Sequence, residues 1–204
     1  MSSHKAKKKP LHVAYQDISK AYDTINHDQL WNICQENGIE GRWLDNLKQM
    51  YESAILTALT RHGKTRGVKM QRGIRQGCPL SPVLFALYVQ PIAEQLQEMM
   101  IEEGTYKRDK PNMLFYADDM VLWGNTKEEL QQKLTRVVET MEQLGLQISI
   151  GKTELQCNEH AETQEKEMNI KTSEGTKAFK YVSHKQAIRY LGYWSTVDME
   201  ERKK

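Results

Sequence analysis

Asp118 and Asp119 stand side by side in Tyr116-Ala117-Asp118-Asp119, between two short apolar runs, residues 112–115 and Met120-Val121-Leu122-Trp123. Both runs are rich in strand-favouring residues, so the stretch reads as a tight hairpin with two aspartates at its bend. Adjacent carboxylates between buried strands repel one another and lose hydration. They stay ionised where water or a cation compensates them, and hard divalent ions with oxygen ligands are the natural partners. Alone, an Asp-Asp bend reads as a polar turn. A third carboxylate changes the balance: Asp17 ends another strand-like run, Leu11-His12-Val13-Ala14-Tyr15-Gln16. Three acidic groups on the ends of neighbouring strands make a site for two Mg²⁺ ions about 3.5–4 Å apart, which clamp the attacking and leaving oxygens of a phosphoryl transfer. That is polymerase chemistry.

The elements that must position these groups follow from composition and periodicity. With 204 residues, 39% hydrophobic and 27% charged, the chain can build one globular domain with a real core. Its net charge of +2 neither demands nor excludes nucleic acid. The basic clusters at 5–9, 61–75 and 107–110 are local enough to meet phosphates, and each reads equally as solvated surface. Cys34, Cys78 and Cys157 are odd in number and widely spaced. That argues against a disulfide framework or zinc ribbon and for a reducing compartment. No apolar run reaches membrane-spanning length and no signal peptide opens the chain. A soluble intracellular protein without a membrane partner is expected, with nucleus or cytoplasm left open.

Residues 1–10 read as a basic disordered tail and Leu11 to Asp17 as a buried strand. A helix capped by Asp28 carries Leu30, Trp31, Ile33 and Cys34 and stops at Gly38. A second helix from Gly41 uses Trp43, Leu44, Leu47, Met50 and Tyr51 as its apolar side. Runs 54–60 and 67–71 flank Arg61-His62-Gly63-Lys64-Thr65-Arg66 as a hairpin with a charged tip. The Gly-rich stretch Arg72 to Leu80 leads into a long helix with Ser81 as N-cap, Pro82 next, and Leu84, Phe85, Tyr88 and Ile92 inward. After the aspartate hairpin, Thr126 to Glu129 is a capping box. It opens a helix whose Leu130, Leu134, Val137, Val138, Met141 and Leu144 recur until Gly145. Strands are expected at 146–150 and 153–157, and a mobile polar excursion over 158–178 with a short strand at 168–171. Aromatic strands follow over 179–194, with a frayed end by 204. Strands and helices alternate without a repeating β-α-β fingerprint. The fold class is therefore α+β, with long helices packed on one face of a mixed sheet.

Five segments then resemble reverse transcriptases in the family's own order. Tyr15-Gln16-Asp17-Ile18-Ser19-Lys20-Ala21-Tyr22-Asp23 looks like motif A, Arg72 to Pro82 like motif B, and Tyr116 to Asp119 like the aspartate doublet. Leu144 to Glu154 resembles motif D, and Tyr190-Leu191-Gly192 the start of motif E. Motifs A to D span 11–157. Within the family, Lys20-Ala21-Tyr22-Asp23-Thr24-Ile25-Asn26-His27 and Gln76-Gly77-Cys78-Pro79-Leu80-Ser81-Pro82 are most similar to non-LTR (LINE-type) retrotransposon enzymes, with group II intron maturases the runner-up.

The resemblance implies a polymerase palm and RNA-directed DNA synthesis. Asp17, Asp118 and Asp119 would be the catalytic metal site for two Mg²⁺ ions, which Mn²⁺ can replace; Asp17 and Asp118 bind directly, joined by the Ile18 carbonyl, with Asp119 assisting. Tyr22 matches the steric gate under the nucleotide sugar. Gln76 and Gly77 match the loop along nucleotide and template. Lys152 matches a lysine that protonates the departing pyrophosphate, and Tyr190, Leu191 and Gly192 match the primer grip. For Tyr22, Tyr116 and Tyr190, packing beside strands is the competing role. Asp23 is expected to support the following helix rather than bind metal. The implied partners are an RNA template, a DNA primer and deoxynucleoside triphosphates. The chain starts about where motif A starts and ends soon after motif E. A palm lacking its fingers and thumb, from a larger polyprotein, is therefore expected. The alternative is a catalytically inactive, element-derived RNA-binding or scaffold protein; an RNA-templated RNA polymerase fits the Tyr22 gate poorly.

Overall fold

The computed structural model describes residues 9–106, 113–161 and 166–197. The expectations for the tail at 1–8, the basic cluster at 107–110 and the end at 198–204 lie outside them. The chain falls into two compact units, Lys20–Gln90 and Met1–Ser19 with Pro91–Lys204.

The larger unit is built on a six-stranded sheet. Its strands are β1 (His12–Asp17), β6 (Met113–Tyr116), β7 (Asp119–Gly124), β8 (Glu154–Cys157), β9 (Glu167–Thr172) and β10 (Gly175–Val182), in the order β6-β7-β1-β8-β10-β9. β1 runs antiparallel to both β7 and β8, while β10 pairs parallel with β8. The sheet is therefore mixed, with β1 central. Alternation sorts its side chains. Val13, Tyr15 and Asp17 share one face with their partners Trp123, Val121 and Asp119, and His12, Ala14 and Gln16 take the other.

Helix α5 (Lys127–Gln143) packs on β1, β7 and β9. Its expected stripe of Leu130, Leu134, Val137, Val138 and Met141 is buried. Thr126 accepts from the Glu129 N–H. The return bond of the capping box shifts by one residue: Glu129 accepts from Asn125 N–H at 2.7 Å. Gly145, at φ +69°, ends the helix. Against the Val13–Tyr15 face packs a cluster that includes Ile188 and Tyr190, from the hairpin β11 (Ile188–Tyr190) and β12 (Tyr193–Ser195).

Two expectations change here. The polar stretch after 158 is not a mobile excursion throughout: β9 and β10 pair in register from Glu167↔Lys180 to Thr172↔Gly175. Met168, Ile170 and Phe179 are buried, and this sparse alternation anchors an otherwise hydrophilic hairpin. The strand at 146–150 reduces to a single bridge, Ile18↔Ile148.

In the 20–90 unit, α1 (Ala21–Thr24), α2 (His27–Glu36) and α3 (Arg42–Glu52) precede a two-stranded ribbon. In the ribbon, β2 (Ile55–Leu56) pairs with β5 (Val68–Lys69) and β3 (Leu59–Thr60) with β4 (Gly63–Lys64), as the charged-tip hairpin predicted. Helix α4 (Ser81–Glu102) follows. Three local expectations are corrected. The cap of α2 is Asn26, whose Oδ1 accepts from Gln29 N–H, so Asp28 sits in the first turn. Ser81 does not cap α4; its hydroxyl donates to the Arg75 carbonyl at 2.6 Å. Trp43 is 78% exposed rather than packed.

Candidate active site

β1 and β7 bring the first and last carboxylates together. Asp17 and Asp119 are direct cross-strand partners, which places their Cβ atoms about 5 Å apart on one face. β6 and β7 are joined by Ala117 and Asp118, with Tyr116 paired to Asp119 across the turn. Ala117 takes φ +53°, a left-handed conformation a non-glycine residue adopts at a cost. β7 is buried, but β6 is half-exposed, and Tyr116 is 65% exposed. Tyr116 therefore does not pack as an ordinary strand aromatic. The turn is tied to β1 by the Ile18 N–H, which donates to the Asp118 carbonyl at 3.1 Å. An extended residue points its N–H and C=O the same way, so the Ile18 carbonyl faces this turn.

Lys152 reaches the site from the loop before β8. Its ammonium lies 3.1 and 3.2 Å from the two Asp17 oxygens. The loop is anchored by Ser149, whose N–H donates to the Asp17 carbonyl at 2.8 Å, and by Thr153, whose hydroxyl donates to the Ser149 carbonyl. The charges do not balance. Burial first, then the negative charges of Asp118 and Asp17, raise the Asp119 carboxyl above its ordinary pKa, and Lys152 only partly opposes them.

The cleft beside these groups encloses about 150 Å³ and is lined by Tyr15, Asp17, Asp119, Lys152, Glu154 and Tyr190, among others. The Tyr190 ring lies 5.9 Å from that of Tyr15. Burial and Tyr190 push the Tyr15 hydroxyl up to about 12. Tyr190 closes β11, and Leu191 and Gly192, at φ +49° and +84°, form a two-residue turn into β12. Sequence reasoning missed Tyr15 and Glu154 as cleft residues. Both were within reach: Tyr15 shares the Asp17 face by alternation, and Glu154 is the cross-strand partner of Tyr15.

Tyr22, Gln76 and Gly77 belong to the other unit. There the Gly-rich loop is clamped to the motif A corner, with Gly73 N–H donating to Ile25 O at 2.8 Å and Ile74 N–H to Tyr22 O at 2.7 Å. A Cβ on Gly73 would lie 2.9 Å from the Tyr22 carbonyl oxygen, so glycine is required for this approach. The Tyr22 ring lies 5.2 Å from buried Phe85. Gln76 and Gly77 are exposed, with Gly77 at φ +82°. Asp23, expected to support the next helix, lies in α1, three residues before the Asn26 cap of α2.

The donor chemistry of Asp17, Asp118 and Asp119 suits a hard divalent cation: oxygen ligands only, with more negative charge than Lys152 offsets. Among the described residues no three His, Cys, Asp or Glu side chains already converge as a metal cluster, and Lys152 is bonded to both Asp17 oxygens. No helix among them is long and apolar enough to cross a membrane.

Comparison with known proteins agrees with this geometry. The R2 retrotransposable element Pol polyprotein of Nasonia vitripennis is 27% identical over 192 residues, covering 90% of this chain and 18% of that protein. Its counterpart from Bradysia coprophila is 30% identical over 148 residues, covering 72% and 16%. The chain thus spans less than a fifth of the length of these relatives, which are of the non-LTR kind the motif wording resembled. Among solved structures, apo telomerase from Candida tropicalis superposes with a TM-score of 0.65 at 15% identity over 100% of this chain and 38% of that one. Candida albicans telomerase with a fragment of telomeric RNA gives 0.66 at 13% identity over 99% and 32%. At such identities the likeness shows the fold, an α+β polymerase palm. A family model described as reverse transcriptase (RNA-dependent DNA polymerase) matches residues 1–195. The chain belongs to the reverse transcriptase family.

Proposed function

We propose that the chain carries the catalytic palm of an RNA-directed DNA polymerase, joining a deoxynucleotide to a primer 3′-hydroxyl opposite an RNA template. The observation that carries this reading is the cross-strand pairing of Asp17 with Asp119, with Asp118 in the adjoining turn. Reverse transcriptases depend on divalent metal. Asp17, Asp118 and Asp119 would hold two Mg²⁺ ions, or Mn²⁺ in their place, with the Ile18 carbonyl contributing. Ions held there would supply positive charge to offset that on the attacking and leaving oxygens. Lys152, released from Asp17, would meet the departing pyrophosphate with a positive charge and a proton. Tyr190, Leu191 and Gly192 would steady the primer at the edge of the same cleft. By the family's pattern, Tyr22 would pack under the sugar, and Gln76 and Gly77 would line the nucleotide. Base pairing supplies the sequence information. Fingers and thumb segments, by the family's pattern, would complete the grip on triphosphate and duplex.

The test is primer extension on an RNA template with deoxynucleotides and Mg²⁺ or Mn²⁺, comparing the chain with Asp118→Asn. Extension that vanishes in the variant supports the reading. Equal extension by both sinks it, because the turn carboxylate would then play no part. No observation on the molecule favours the scaffold alternative.

A further inference from the structure

The ribbon of the 20–90 unit has a charge pattern that the catalytic reading leaves unused. Between Ser53 and Glu94 the sequence contains Arg61, Lys64, Arg66, Lys69, Arg72 and Arg75 and no Asp or Glu, although the whole chain is nearly neutral. Arg75 is committed to the fold: it donates to the Met50 carbonyl at 2.7 Å and lies over the Tyr51 ring. The other cations are not. Every residue from Ile55 to Lys69 is exposed, and among the described residues none of Arg61, Lys64, Arg66 or Lys69 meets a carboxylate.

Apolar side chains stand beside these cations. Leu59 pairs with Lys64 and Ile55 with Lys69, and Leu59 is 81% exposed. Each lysine stem therefore has an apolar neighbour while its ammonium reaches water. The pairing slips by one residue between these two steps, since Thr65 N–H donates to Ala58 O and the sum of paired positions changes there. Such a bulge strengthens the twist of a ribbon. A strip of cations that meet no carboxylate among the described residues, with Arg61 Nε bonded to the His62 ring, interleaved with apolar groups and free of acids over forty positions, fits a polyanion whose sugars and bases offer apolar surface.

We infer that this ribbon is a second nucleic-acid contact, gripping the phosphodiester backbone of single-stranded RNA through Arg61, Lys64, Arg66 and Lys69. A rise of about 3.3 Å per residue sets Lys64 and Lys69 about 16 Å apart, a span of about five stacked nucleotides. The choice of RNA rests on the family reading; the contact itself uses none of the carboxylates.

The experiment is fluorescence anisotropy of labelled single-stranded RNA and DNA oligomers, without divalent ions, from about 50 mM to about 200 mM salt. The full chain is compared with the quadruple variant Arg61→Gln, Lys64→Gln, Arg66→Gln, Lys69→Gln. A charge-matched control carries Lys166→Gln, Lys171→Gln, Lys180→Gln and Lys185→Gln on exposed positions of the other unit. Each phosphate contact to a single strand adds about 0.7 to the salt slope, or about 5-fold in affinity at 0.1 M salt. Losing four lowers the slope by about 3 and the affinity by about 600-fold. The control should keep most of both, and because the assay holds neither divalent ion nor deoxynucleotide it reads this contact apart from catalysis. An unchanged slope and affinity in the quadruple variant, at an unchanged thermal midpoint, overturns the inference. So does a dimer that Leu59→Ser dissociates while RNA binding persists, because the ribbon would then be a protein contact. Equal loss for RNA and DNA supports the phosphate grip and overturns the preference for RNA.

Discussion

Replacing Asp119 by Asn removes a charge that three features of the site oppose: burial, Asp118 and Asp17. By register the Asp17 and Asp119 Cβ atoms lie about 5 Å apart, which sets the scale of the separation of their charges. Coulomb repulsion at that separation is about 0.8 kcal/mol in water and about 3 kcal/mol at an effective dielectric near 20. Lys152 on Asp17 and the partial exposure of the cleft discount this, leaving about 1 kcal/mol. Because folding raises the Asp119 pKa, the folded state holds its proton more tightly than the unfolded chain does. Stability is therefore lost as pH rises from the unfolded aspartate value through the higher folded one, and the deficit persists at neutral pH. Asp119→Asn should accordingly be more stable than wild type by about 1 kcal/mol at pH 7 in EDTA, a rise of about 2–4 °C in thermal midpoint. The advantage should vanish as pH falls below about 4. Millimolar Mg²⁺ or Mn²⁺ should stabilise wild type and reverse the ranking. Urea titrations with and without metal decide it. A variant less stable than wild type in EDTA at pH 7 would refute the account of Asp119 as an under-compensated carboxylate.

Two further substitutions test the scaffold around the site. Gly73→Ala combines a φ of +85° with a Cβ only 2.9 Å from a backbone oxygen. It should cost about 2–4 kcal/mol in urea unfolding, and a loss under about 0.5 kcal/mol would mean the clamp on Tyr22 is loose. Gln16 is 3% exposed, and neither atom of its amide finds a partner among the described residues. Gln16→Leu should therefore stabilise by about 1–2 kcal/mol, whereas destabilisation would reveal a bonded amide.

The fold was legible in the sequence where one pattern dominated a segment. The long stripe of α5 and the paired runs of the aspartate hairpin were legible because a single periodicity dominates each. Trp43 misled because its spacing matched the core-facing side of α3 while its environment, which spacing does not encode, left it exposed. Asp28 and Ser81 misled for a related reason: several residue types can cap a helix, and Asn26 and the Leu80 carbonyl, which accepts from Leu84 N–H, sit one or two positions earlier. Strands β9 and β10 were legible only in part, as the short strand at 168–171 and the start of the aromatic strands at 179, because only Met168, Ile170 and Phe179 are buried in them, too few to outweigh a polar composition.

Backbone strain is the signal that composition could not supply. The non-glycine residues with positive φ among those described are Lys20, Ala117 and Leu191. Each lies at a corner of a different motif: three residues past Asp17, in the aspartate turn, and in the turn after Tyr190. Left-handed backbone at such residues costs about 1–3 kcal/mol and survives where surrounding structure holds it. At Ala117 the hold is visible, since Ile18 N–H fixes the Asp118 carbonyl and Tyr116 pairs with Asp119. A glycine at 117 would relieve the strain but free the turn that aims Asp118. With alanine there, the aspartate turn is held by its ties to the sheet.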